Sequence, residues 1–188
     1  MAQQPIVRHV IGASIAVLLL PTLGRAQLIT PQVAAGIAAP TGPLGEARSP
    51  GPALRGAVLV GAPTRRVRLR IAADAAWMPG SQAAASQYAS AGDLRVLSVS
   101  GSVVLAPRGE GAAAYVLLGG GVQGMRVAGQ RNPYGVGGVL HAGVGVRVPL
   151  GRVAMHFEVT PQLLLTDYAT GEDFSPGTYW PVLVGLSF

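Results

Sequence analysis

The stretch "VRLRIAADAAW", residues 67–77, places Val67, Leu69, Ile71, Ala73 and Ala75 on one side of an extended chain and Arg68, Arg70, Ala72 and Asp74 on the other. Successive strand side chains point to opposite faces, so this segment reads as a strand with one apolar and one charged face. Which face turns inward decides the fold. A water-soluble barrel would bury the apolar face, whereas a membrane barrel presents it to lipid and keeps the charges inside.

The alternation recurs along the chain. In 139–148, Leu140, Ala142, Val144, Val146 and Val148 oppose His141, Gly143, Gly145 and Arg147. In 152–160, Met155, Phe157 and Val159 oppose His156, Glu158 and Thr160, and in 94–106 Leu97, Val99, Val103 and Leu105 oppose Ser98, Ser100 and Ser102. With 32–40, 54–62, 114–124 and 179–188 this makes eight stretches of about the length a tilted membrane strand needs. The alanine- and glycine-rich 32–40 and 114–124 leave their facing open. In 179–188, Trp180, Val182, Val184, Leu186 and Phe188 share one face.

The connections sort by parity. After the second, fourth and sixth stretches they are tight: "PTRR" (63–66), "PRGEG" (107–111) and "PLG" (149–151). After the first, third, fifth and seventh they are long and polar: 41–53, 78–93, 125–135 and 161–179. A sandwich has no reason to separate loop lengths this way. A barrel with short turns at one membrane surface and long loops at the other does. The small residues and glycines on the charged faces suit a narrow, filled lumen. Aromatics near strand ends, Trp77, Tyr168, Tyr179 and Trp180 at one rim and Tyr115 and Phe188 at the other, suit interfacial girdles. The expected fold class is therefore all-β: an eight-stranded antiparallel up-and-down transmembrane β-barrel.

Residues 1–26 are set apart from that pattern. Arg8 precedes an apolar run from Val10 to Leu20, and Gly24-Arg25-Ala26 supplies small residues where a signal peptidase cleaves. The run is short for a membrane helix, so a cleavable signal peptide over 1–26 and a barrel over 27–188 are expected, with an uncleaved anchor as the alternative. There is no cysteine, which excludes disulfides and thiolate metal sites. All fourteen basic residues are arginine; without Arg8 and Arg25, twelve remain against eight acids, a net +4. They are scattered, so nucleic acid is not an expected partner.

These features resemble the small eight-stranded outer-membrane β-barrel family of the OmpA/OmpX type, over about 32–188. "VAAGIAAPTGPLG" (33–45) is similar to that family's first strand and loop. The last strand is similar to its assembly signal: terminal Phe188, apolar Leu186, Val184 and Val182, and aromatic Trp180. The resemblance implies a location in the bacterial outer membrane, recognition by the barrel-assembly machinery during insertion, and outer-membrane lipid as surroundings. It implies no cofactor. Pro161 and Pro181 depart from it, because proline cannot donate to a ladder; both are expected at the outer rim, where pairing ends.

The inward set is a lumen polar network of Arg68, Arg70, Asp74, His141, Arg147, His156 and Glu158 with the three serines of 98–102. An eight-stranded barrel is about filled by its own side chains, so a salt-bridged plug is expected ahead of a narrow anion-favouring pore. Ser, His and acid residue types also occur in lipid-acyl-modifying barrels. Here, however, no nucleophile elbow or HExxH motif supports catalysis, and no catalytic or metal residue is assigned. "GGGVQG" (119–124) lacks the Lys-Ser/Thr of a phosphate loop and is read as room for close strand packing. The expected role is structural or porin-like, with a mostly polar plug in a monomer. Binding of an extracellular ligand by the long loops is the alternative.

Overall fold

The computed structural model describes residues 29–62, 64–81, 92–108, 111–128, 134–165 and 177–188. The expected signal peptide, Tyr168 and much of the long loops lie outside these residues. Strands β1 (Ile29–Thr41), β2 (Gly51–Val60), β3 (Val67–Met78), β4 (Leu94–Leu105), β5 (Ala113–Val127), β6 (Tyr134–Leu150), β7 (Val153–Val159), β8 (Gln162–Leu165) and β9 (Thr178–Ser187) form one sheet, with a short helix α1 (Pro43–Ala47) after β1. Each strand pairs antiparallel with the next round the ring, and β9 returns to β1.

The nine segments fill eight positions. Both β7 and β8 lie between β6 and β9, and their register is continuous: Val144 pairs with Val159 and His141 with Gln162, while Val182 pairs with Val159 and Tyr179 with Gln162. The expected end of the seventh strand at Thr160 is thus corrected. The strand resumes beyond Pro161, and Pro181 lies within β9, opposite Ala38. Neither proline marks the end of pairing. Thr160 N–H donates to the Pro181 carbonyl at 3.0 Å, and Ala142 N–H to the Pro161 carbonyl at 3.4 Å. Each proline accepts a ladder bond and cannot return one, so the wall is thinned in hydrogen bonds here but stays in register.

One circuit of the ring gives the stagger. Thr30 pairs with Leu59, Leu59 with Arg70, Arg70 with Ser102, Ser102 with Gly119, Gly119 with His141, His141 with Gln162, Gln162 with Tyr179, and Tyr179 with Pro40. The path closes ten residues along β1, from Thr30 to Pro40. With strand rise and spacing of roughly 3.3 and 4.8 Å, eight strands at that stagger tilt by about 40°. The interior is then narrow enough for side chains to fill it.

Facing follows the alternation throughout. Leu69, Ile71, Leu97, Val99, Leu118, Val144 and Val184 are exposed on the outside, and Arg68, Arg70, Asp74, His141, His156 and Glu158 are buried. Inside, the lumen is layered. At the loop end it is apolar: Met78, Leu94, Val96, Met125, Val127 and Leu164 pack together, and Leu44 of α1 closes over them. The expectation of a mostly polar plug is corrected at this level. Position 42 lets the chain turn in at the rim, Gly42 taking φ 59° before Pro43 starts the helix. The ionic layer lies mid-lumen, and a smaller apolar group of Leu59, Val104 and Leu117 lies toward the turn end.

Candidate functional site

Glu158 is the centre of the middle layer. β7 points it inward between Phe157 and Val159, and it is 2% exposed. Arg70 Nη1 donates to its Oε2 at 2.6 Å and Nη2 to its Oε1 at 3.2 Å. Tyr115 OH donates to Oε2 at 2.8 Å, Thr160 Oγ1 donates to Oε1 at 2.7 Å, and Arg55 Nη1 also donates to Oε1. Arg55 Nε in turn donates to Asp74 Oδ1. Two arginines thus face two carboxylates, and the carboxylate with the greatest burial has four donor residues. Burying an ion costs several kcal/mol unless its lone pairs are occupied, so this saturation is what permits charge in the lumen.

The remaining expected lumen residues also face inward, but they do not all join that cluster. His141 Nε2 lies 2.8 Å from Ser102 Oγ, and His156 Nδ1 lies 3.3 Å from Ser187 Oγ, which accepts a bond from Gln32 Nε2 at 3.0 Å. Arg68 and Arg147 sit nearer the turns and form no ion pair among the described residues. They line a cavity of about 90 Å³ at the turn end of the lumen.

The expected aromatic girdle divides. Trp77, Trp180 and Phe188 project outward and are exposed, Trp77 with the Arg95 guanidinium 5.7 Å from its ring centroid. Tyr115 and Tyr179 are corrected to the lumen: Tyr115 reaches Glu158, and buried Tyr179 donates to Gln162 Oε1 at 2.6 Å. A buried tyrosine hydroxyl requires a partner, and inside the barrel both find one. The last-strand set Trp180, Val182, Val184, Leu186 and Phe188 lies on the outer face, every member exposed.

Arg55 was the main residue not anticipated. It is a lone charge between Leu54 and Gly56 in an otherwise apolar strand, out of phase with exposed Leu54 and Val60. That phase was the available signal.

Two Ser–His contacts of catalytic type face the lumen among the described residues, Ser102–His141 and Ser187–His156. All four side chains are buried, and Glu158 is already committed to other donors. No group of three or more possible metal ligands occurs among the described residues.

Among solved structures, Neisserial surface protein A (NspA) matches with a TM-score of 0.66 at 13% identity, covering 87% of this chain and 98% of that one. The chain has the fold of an outer-membrane β-barrel. A major outer membrane protein from Thermus thermophilus also matches, with a TM-score of 0.47 and 12% identity over 85% of this chain and 97% of that one. No protein-family model and no curated protein sequence matches the chain.

Proposed function

We propose that this chain is a small bacterial outer-membrane barrel of the OmpA/OmpX type that acts as a closed, non-catalytic structural element of the membrane. The observation that carries this reading is the inversion of the barrel: large apolar side chains such as Leu97, Leu118, Val122 and Val144 are exposed while Arg55, Arg70, Asp74 and Glu158 are buried. Soluble monomers expose apolar patches of only a few hundred Å², whereas lipid makes such a belt favourable. Among the described residues the closed ring leaves no edge strand for self-pairing, which supports a monomer. Its surroundings are outer-membrane lipid, and the outward C-terminal set ending in Phe188 supports recognition by the barrel-assembly machinery after export through the 1–26 leader.

Closure rests on the apolar layer beneath Leu44 stacked above the Glu158 cluster. In planar bilayers the purified protein is expected to give no sustained conductance; stable open steps at neutral pH would overturn the closed reading. Membrane embedding is tested separately. Val99→Arg puts a charge on the exposed outer wall and is expected to cost about 2–4 kcal/mol if that site is in lipid. The check is the urea midpoint of the barrel in lipid vesicles, read by the heat-dependent gel shift. An unchanged midpoint would place the belt in water.

A further inference from the structure

The turn end of the lumen carries charge that the middle layer does not neutralise. Asp74 is bonded by Arg55, and Glu158 by Arg55, Arg70, Tyr115 and Thr160. Below them, the cavity of about 90 Å³ is lined by Arg68, Arg147 and Arg152, together with His156, Arg70 of the middle layer and the C-terminal residue Phe188, and, among the described residues, by no aspartate or glutamate side chain. Arg68 is 7% exposed, and its Nε is buried with no hydrogen-bond partner among the described residues. A buried arginine with no carboxylate partner among the described residues is costly, and an anion in the cavity that it lines would offset its charge.

We propose that this cup is a binding site for a phosphate-type oxyanion, held by Arg68 and Arg147 with Arg152 at its mouth. Planar guanidinium forks match the several acceptor oxygens of a tetrahedral oxyanion better than they match a single-point halide. The volume admits one such group or a few waters. The Glu158 cluster and the apolar layer close the cup from above, so the anion enters and leaves by the turn end and does not cross the barrel. The same chemistry could come from free phosphate or from a phospholipid headgroup reaching over the rim at Arg152.

The test uses the full-length protein extracted from membranes in a maltoside detergent and chloride buffer. Calorimetric titration with inorganic phosphate is expected to show saturable one-to-one binding, with sulfate competing. Arg68→Gln and Arg147→Gln are each expected to weaken it at least tenfold; Arg95→Gln, the same charge change on the outer wall near Trp77, is expected to leave it unchanged. Phosphate binding with this pattern identifies a free-anion site. Native mass spectrometry showing a phospholipid retained by the wild type and lost from Arg68→Gln identifies the headgroup source. Absence of both, or binding undiminished in the Arg68 and Arg147 variants, overturns the proposal. If Arg68→Gln fails the gel-shift test of folding, the wild-type titration and Arg147→Gln decide.

Discussion

Replacing Glu158 with alanine is expected to destabilise the barrel by about 3–5 kcal/mol, the range seen when one partner of a buried ion cluster is removed. The loss is large because of what stays behind. Arg55 retains Asp74, but Arg70 loses its only carboxylate partner among the described residues, and Tyr115 and Thr160 each lose an acceptor. The cost is thus mainly that of stranded donors. Glu158→Ala combined with Arg70→Met is accordingly expected to recover most of the lost stability, because an apolar side chain in place of Arg70 leaves no uncompensated charge there. Urea midpoints of the refolded protein, read by the heat-dependent gel shift, check both variants. A drop below about 1 kcal/mol for Glu158→Ala would mean that solvent reaches the cluster.

The sequence carries the wall of this barrel more openly than its filling. Strand periodicity sets which side of the wall a residue occupies, and the short turns fix which strands are neighbours. The faces of β3, β4, β6 and β7 could therefore be read directly. What fills the lumen depends on which inward residues share a level. That is set by a stagger accumulated over eight registers, and no single strand contains it. Arg55 and Asp74 are register partners in neighbouring strands, but Glu158 meets Arg55 and Arg70 across the lumen only because of that stagger. The apolar layer is hidden for the same reason: Met78, Leu94, Met125 and Leu164 come from four separate strand ends, and of these only Met78 and Leu94 are register partners.

Phase alone decides the facing of Tyr179. Tyr179 and Trp180 are consecutive, so a strand cannot turn both toward lipid; the outward run of Val182, Val184 and Leu186 selects Trp180. Tyr115 is out of phase with exposed Val116 and Leu118, but the glycine-rich 114–124 leaves that facing open in the sequence. Position near a strand end suggested a girdle, but facing decides membership. Pro161 does not end its strand, although proline is a ladder breaker. A proline in a ladder forfeits one donated bond, yet its carbonyl still accepts, and here the register on both sides carries the strand across the gap.

Gly121→Val is expected to abolish the heat-resistant folded form, whereas Gly101→Ala, in the neighbouring strand, is expected to change stability by no more than about 0.5 kcal/mol. Both are strand glycines, so propensity alone would favour either substitution. The difference is space. A Cβ on Gly121 would stand 2.1 Å from the Val99 carbonyl oxygen and 2.6 Å from Ser100 Cα, both backbone atoms of β4, while one on Gly101 meets nothing within 4 Å. Gly119 is similarly constrained, 2.2 Å from the Gly101 carbonyl oxygen and 2.7 Å from His141 Nε2. The "GGGVQG" stretch thus contains two positions that let β5 curve tightly against β4 in a barrel this narrow. A flexible side chain could yield to an added methyl group, but a paired backbone can yield only by giving up its register. Because the ring closes on β1, a gap between β4 and β5 must be absorbed all the way round, so failure to close is expected in place of a local bulge. The assay is the gel shift with and without boiling for both variants. A normal shift and an unchanged urea midpoint for Gly121→Val would show that the β4–β5 seam has slack and that the glycines do not set the curvature.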